Sequence, residues 1–197
     1  MFIQRVVALL FLTISLPLVA ILYIVVKTTS QGSFLFVQKR MGKGMRPFLI
    51  YKIRTMVEGA ERLKSKVQSL NEADGPVFKI RHDPRYTPVG KILSHLAIDE
   101  LPQLINVIKG EMALVGPRPL PIIEANKIPK KYHTRFTVLP GMTSSWIVNG
   151  AHSLSFKQWM ELDCEYAQNR NILIDLTILL STARVLLSAA FPKFKPK

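Results

Sequence analysis

Hydrophobic positions divide this chain into stretches of three kinds. The first is unbroken: Val6 to Val26 reads VVALLFLTISLPLVAILYIVV, uncharged, between Arg5 and Lys27. It has the roughly 20 residues that a helix needs to cross a bilayer core. It is long for a cleaved leader, and the following YIVVKTTS holds no small-x-small site. Two arrangements stay open: a spanning helix, and a helix that enters the bilayer, bends and leaves on the same side. Pro17 deletes a backbone donor, which predicts a bend near Thr13 to Pro17, and Ser15 beside it can bond a freed carbonyl. Spanning helices also tolerate proline, so the pattern alone does not choose.

The second kind is short and punctuated. Phe34-Leu35-Phe36-Val37 and Phe48-Leu49-Ile50-Tyr51 predict two strands around a Gly42-Lys43-Gly44 turn. Glu58 to Leu70 has helical character, and Asn71 to Gly75 is a loop. Pro88 to Leu96 predicts a short helix, and a second runs from about Asp99 to Lys109, stopped by Gly110. Met112 to Val115 is apolar and closes on the turn Gly116-Pro117-Arg118-Pro119. Ile123 to Tyr132 predicts a polar helix, Pro140-Gly141 a turn, and Ser155 to Asn169 another helix.

The third kind is amphipathic. Between Asn171 and Phe191, Ile172, Leu176, Leu179, Leu180, Ala183, Leu186, Leu187 and Ala190 share one helical face. Such a helix either packs on a core or lies in a membrane interface. Asp175 and Arg184 argue against a second span.

Charge sharpens this picture. Lysine and arginine number 27 against 13 acidic residues, a formal charge of +14, which selects anionic partners. From Lys27 to Lys66 the basic residues Lys39, Arg40, Lys43, Arg46, Lys52, Arg54, Arg62 and Lys64 face only Glu58 and Glu61. Directly after an apolar segment, such a belt suits anionic lipid and marks the cytoplasmic side. Nucleic acid fits poorly, because the aromatics sit in apolar runs rather than among the cations. The lone Cys164 makes no internal disulfide, which fits a reducing compartment. His82, His95, His133 and His152 are too scattered for a zinc site.

Asp99 and Glu100 are adjacent carboxylates at the start of a predicted helix, with Pro102 in the same turn. Capping alone explains many such pairs. A helix start also gathers phosphate, and an arginine fixed between Pro117 and Pro119 presents a fork suited to it. A carboxylate can attack phosphorus to form an acyl phosphate while a divalent metal shares the charge.

At these residues the chain resembles a family. Ile98 through Pro119, IDELPQLINVIKGEMALVGPRP, is similar to the central signature of the bacterial sugar transferases, the monotopic phosphoglycosyl transferases. Tyr51-Lys52-Ile53-Arg54-Thr55-Met56 resembles their basic K-x-R-T-M motif, and Asp83-Pro84-Arg85, Pro140-Gly141-Met142-Thr143 and Leu162-Asp163 follow in family order. The resemblance covers nearly the whole chain. It implies a magnesium-dependent reaction in two steps. Asp99 attacks the sugar-linked phosphate of a UDP-sugar and expels UMP; undecaprenyl phosphate then takes the phosphosugar. Glu100 would assist by proton transfer or electrostatics, and Mg²⁺ would sit beside Asp99. Arg118, between Pro117 and Pro119, would bind phosphate or nucleotide, with Lys52 and Arg54 lining the anionic site. The family's broken amino-terminal helix maps to Ser15 and Pro17 and favours the re-entrant arrangement.

The expected protein is therefore α/β and mainly helical. Residues 1–27 form a re-entrant helix or transmembrane anchor. Residues 28–197 form a small cytoplasmic catalytic domain with amphipathic interfacial helices, attached to a bacterial inner membrane. Five positions depart from the family pattern. Ser94 stands where an arginine commonly precedes the nucleophile by five residues, Leu16 replaces the serine before the proline, and Ser144, Ile147 and Ala151 replace glycine, glutamine and arginine. The competing reading is a non-catalytic adaptor on anionic lipid, which leaves the acidic pair and the Pro-Arg-Pro turn without a purpose. Neither the sugar, the glycan pathway nor the oligomeric state is legible here.

Overall fold

A computed structural model describes residues 2–151 and 153–191; His152 and the tail 192–197 lie outside the described residues. Eleven elements follow in order: α1 (Phe2–Thr29), β1 (Leu35–Met41), β2 (Pro47–Ile53), α2 (Pro88–His95), α3 (Gln103–Lys109), β3 (Ala113–Val115), α4 (Ile122–Ala125), β4 (Gly141–Thr143), α5 (Ser145–Val148), α6 (Phe156–Asn169) and α7 (Ile172–Ala190). Helices dominate, with two small sheets: β1 antiparallel to β2, and β3 parallel to β4.

The apolar run forms one helix of 28 residues, about 42 Å at 1.5 Å per residue. The bend expected at Pro17 does not interrupt it. Thr13 Oγ1 donates to the Leu9 carbonyl at 2.9 Å and Ser15 Oγ to the Leu12 carbonyl at 2.8 Å, so Ser15 does not serve the Thr13 carbonyl that Pro17 deprives. What holds α1 is the rest of the chain. Ala8 packs with Ile50, Leu104 and Val107, while Leu22 and Val26 pack with Ile53 and Leu93. Gln4 Oε1 accepts a bond from the Leu114 amide at 3.2 Å. Many of the other apolar residues, Phe11, Ile14, Leu18 and Ile21 among them, face outward.

The predicted hairpin forms with longer strands than the apolar pattern suggested, since the pairing continues through Lys39-Arg40 and Lys52-Ile53. Glu58 to Leu70 is not an α-helix: turns lead into a 3₁₀ segment at Ser65–Leu70. The polar helix expected over Ile123 to Tyr132 is likewise divided, into α4 and a 3₁₀ segment at Lys130–Phe136, because Pro129 lies between them. Thr87 caps α2, and Ser155 with Gln158 forms a capping box on α6. Gly90 is required where α2 crosses the chain, since a Cβ there would collide with the Thr55 carbonyl.

The main core gathers Met41, Val77, Leu120, Tyr132, Phe136, Trp146, Trp159 and Met160, with the two indoles stacked 4.3 Å apart. On α7 the leucine face is not a core face. Ile172 is 80% exposed and Leu176, Leu180 and Leu187 are also exposed, whereas Ile178 is the buried contact. Both α1 and α7 are long and apolar enough to cross a membrane.

Candidate active site

Asp99 and Glu100 do not begin α3. They form a separate 3₁₀ turn, Ile98–Glu100, entered through Ala97 in the left-handed region at φ 54°, while Pro102 caps α3. The left-handed step ends α2 sharply and turns the acidic pair inward; Asp99 is buried. The pair is held against the hairpin by Asn106, fully buried on α3. Its Nδ2 donates to the Leu49 carbonyl and to Glu111, both at 2.7 Å, and its Oδ1 accepts from the Tyr51 amide at 3.3 Å.

That docking brings Lys52 to the carboxylates. Its Nζ lies 2.7 Å from Glu100 Oε1 and 3.5 Å from Asp99 Oδ2. Arg118 reaches the same oxygen of Glu100 from the other side, with Nη2 at 3.0 Å. Burial opposes the charge of Glu100, but Lys52 and then Arg118 outweigh it and pull its carboxyl down to about 2. Asp99 moves the other way. Burial raises its pKa, Lys52 only partly offsets this, and the adjacent Glu100 adds to the rise. Arg118 is held more firmly protonated, first by Glu100.

The turn that presents Arg118 is gripped at two carbonyls. Arg135 Nη2 donates to the Arg118 carbonyl at 2.8 Å, and Arg40 Nη1 donates to the Pro119 carbonyl at 3.2 Å. At the start of the turn, Gly116 donates to the Thr143 carbonyl at 2.9 Å and the Pro117 carbonyl accepts from the Gly141 amide at 3.1 Å. Arg135 is in turn paired with Asp163 on α6 at 2.8 Å, both almost wholly buried. Sequence reasoning missed Arg40 and Arg135. A signal for the second existed: Trp159, Met160, Asp163 and Tyr166 share the buried face of α6, and an acid there calls for a buried cation.

Of the expected site residues, Asp99, Glu100, Lys52 and Arg118 converge, with Pro117 and Pro119 flanking the arginine. Arg54 goes elsewhere. Its Nη2 donates to the carbonyl and hydroxyl of Ser30, at 3.1 and 3.0 Å, and so closes the end of α1. Ser94, at the position of the family's arginine, lies 3.0 Å from the Tyr86 hydroxyl. No group of three metal-binding side chains occurs among the described residues. Among the described residues the nearest cation to Asp99 is Lys52 at 3.5 Å, and one such carboxylate with phosphate oxygens and water matches the habit of magnesium.

The bacterial sugar transferase family model matches residues 1–189. The galactosyl transferase CpsE of Streptococcus agalactiae is 38% identical over 79% of this chain, which spans 35% of that protein. The exopolysaccharide production protein ExoY of Sinorhizobium fredii is 34% identical over 84% of this chain and 75% of its own length. The undecaprenyl-phosphate galactose phosphotransferase of Salmonella typhimurium is 33% identical over 89% of this chain, which spans 38% of it. The chain thus covers about a third of two of these relatives and three quarters of the other, and its family model runs unbroken through α1, the acidic pair and the Arg118 turn. By that match this chain belongs to the bacterial sugar transferases.

Proposed function

We propose that this protein transfers a sugar 1-phosphate from a UDP-sugar to undecaprenyl phosphate, through a phosphosugar carried on Asp99. The observation that carries the reading is the unequal treatment of two neighbouring carboxylates. Glu100 is fastened by two cations, while Asp99 has Lys52 only at 3.5 Å among the described residues and a raised pKa, which makes it the more basic attacking group.

In the first step an Asp99 oxygen attacks the phosphorus bonded to the sugar. The bond from that phosphorus to the bridging oxygen breaks, and its electron pair leaves with UMP. Undecaprenyl phosphate then attacks the same phosphorus through an oxygen, and the Asp99 carboxylate departs. The product is an undecaprenyl diphosphate sugar. No proton has to be taken from either phosphate, which suits a Glu100 too acidic to serve as a base near neutral pH. Glu100 instead fixes Lys52 and Arg118, whose charges face the phosphates. Magnesium fits beside Asp99, where it would neutralise phosphate charge.

The acceptor is a membrane lipid, and the seating of α1 supports a monotopic attachment at the cytoplasmic face of the inner membrane. Gln4 near one end and Val26 near the other both contact the same catalytic body. A helix standing across about 30 Å of hydrocarbon would separate those ends by the bilayer. The non-catalytic adaptor reading gives no account of the Lys52–Glu100–Arg118 arrangement.

The test is UMP release from a panel of UDP-sugars by the full chain in detergent, with and without undecaprenyl phosphate. Release with a single sugar and incorporation of that sugar into lipid are expected. Absence of release across the panel with magnesium present would refute the reading.

A further inference from the structure

Around Arg118 the structure gathers more positive charge than its carboxylates neutralise. Arg40 pairs with Phe48 across the hairpin as Phe36 pairs with Lys52, so alternation places Arg40 and Lys52 on one face. Its hydrogen bond to Pro119 leaves Nε buried without a partner, and it forms no salt bridge among the described residues. On the other side, Lys79 Nζ stands 5.0 Å from the centre of a Trp146 ring, and the Arg118 guanidinium stands 5.9 Å from it. Lys79 donates to the Ala151 carbonyl at 2.8 Å and also lacks a carboxylate partner among the described residues.

Both groups register the crowding. Burial, and after it Arg118, lowers the Arg40 pKa to about 10. Lys79 is lowered by burial first, then by Arg81, with Arg118 contributing. Glu124 and Glu61 act on Arg40, and Glu72 on Lys79, but none of them pairs with either cation, whereas Lys52 and Arg118 are both paired with Glu100. Half-desolvated like charges repel, and a protein keeps them together at a cost in stability that an anionic ligand removes.

We propose that Arg40 and Lys79, with Arg118 between them, hold the diphosphate of the nucleotide-sugar donor. This rests on the transferase reading and assigns the donor's anion to residues outside the acidic motif. A diphosphate esterified at both ends carries two negative charges, and Arg40 and Lys79 are two cations that no carboxylate pairs among the described residues. The water-soluble donor is preferred over the lipid acceptor because of where these cations sit. Trp146, which Lys79 and Arg118 both approach, belongs to a cluster that contains no residue of α1. The lipid would arrive along the helix, whereas Lys79 stands beside a part of the fold free of it, which suits a ligand that comes from water.

The experiment measures calorimetric binding of UDP, UMP and inorganic pyrophosphate to the full chain in detergent. Arg40→Gln and Lys79→Gln should each weaken UDP and pyrophosphate by about tenfold, the loss of one charge-assisted bond. UMP should lose less than UDP, because it lacks the second phosphate. Arg40→Lys and Lys79→Arg should recover most of the affinity. The salt dependence of UDP binding should become shallower in the glutamine variants. Lys79→Gln keeps a donor for the Ala151 carbonyl, so it remains informative if Arg40→Gln folds poorly. Wild-type affinity for UDP and pyrophosphate in folded Lys79→Gln and Arg40→Gln would overturn the assignment. So would equal losses for UDP and UMP that the charge-keeping variants fail to restore. UMP release by the wild type separates the two readings: release with unaffected variants refutes only the assignment. Variant-sensitive pyrophosphate binding without release from any UDP-sugar refutes only the transferase reading.

Discussion

The ammonium of Lys52 lies 2.7 Å from Glu100 and 3.5 Å from Asp99, so one cation binds two adjacent carboxylates unequally. The shorter contact fixes Glu100 as an anion. The longer one holds Asp99 less tightly.

Asp99→Asn should abolish UMP release. In the wild type, UDP-sugar without lipid acceptor should add a phosphosugar mass to the peptide holding Asp99, and the variant should show no adduct. Glu100→Gln should retain the adduct but form it about 10²-fold more slowly, since it loosens the two cations that position the phosphates. Undiminished turnover by Asp99→Asn would rule out the covalent route.

The acid limb of kcat/KM should reflect Asp99 and lie above the usual aspartate value, because its pKa is raised and the attacking form is the anion. Glu100→Gln removes a neighbouring negative charge and frees Lys52 and Arg118, so the limb should move to lower pH. Lys52→Met should move it higher. For stability the signs oppose. The depressed Glu100 contributes above the ordinary glutamate range, and that contribution is lost as pH falls from about 4.5 towards about 2. Asp99 is costly when charged, and the cost disappears as pH falls through its raised pKa. A pH series of kcat/KM and of thermal midpoints on the three proteins checks both.

Arg118→Ala should raise KM for the nucleotide sugar and lower kcat/KM, at about 1.5–3 kcal/mol for each charge-assisted bond lost. Arg118→Lys should recover little, because a point charge cannot span two oxygens as the planar fork does. Membrane attachment should be unchanged in flotation assays with both variants.

A cysteine at Phe2, in a Cys164→Ser background, should resist a membrane-impermeant reagent in intact cells and react once the inner membrane is opened. Phe2 is chosen because Gln4 is engaged with Leu114. Labelling from the periplasm would establish a spanning helix. Pro17→Ala should leave the terminus cytoplasmic if packing against Leu104 and Leu93, rather than the proline, sets the arrangement.

Much of this was legible in residue order. The hairpin, α2, α6 and α7 announced themselves by alternation, caps and helical spacing, because those signals are local. The acidic pair and the Arg118 turn were legible as motifs, though not the left-handed Ala97 that detaches the pair from α3. Non-glycine residues seldom adopt that conformation, and nothing in an alanine advertises it. The partners of Arg54, Arg40 and Arg135 were hidden for a different reason. Each is defined by contacts across the chain, Ser30 from Arg54, Pro119 from Arg40 and Asp163 from Arg135, and composition treats all basic residues alike.

The bond from the Leu114 amide to Gln4 ties the first turns of α1 to the strand that runs straight into the Gly116–Pro119 turn and Arg118. The apolar helix is thereby part of the folded body and not a leash for it. Cutting the chain after Lys27 to obtain a soluble enzyme would strip the cover from Leu104, Val107, Ile53 and Leu93 and release one edge of that strand. Solubility and packing therefore pull against each other in this protein, since the helix that exposes the most apolar surface also covers part of the core.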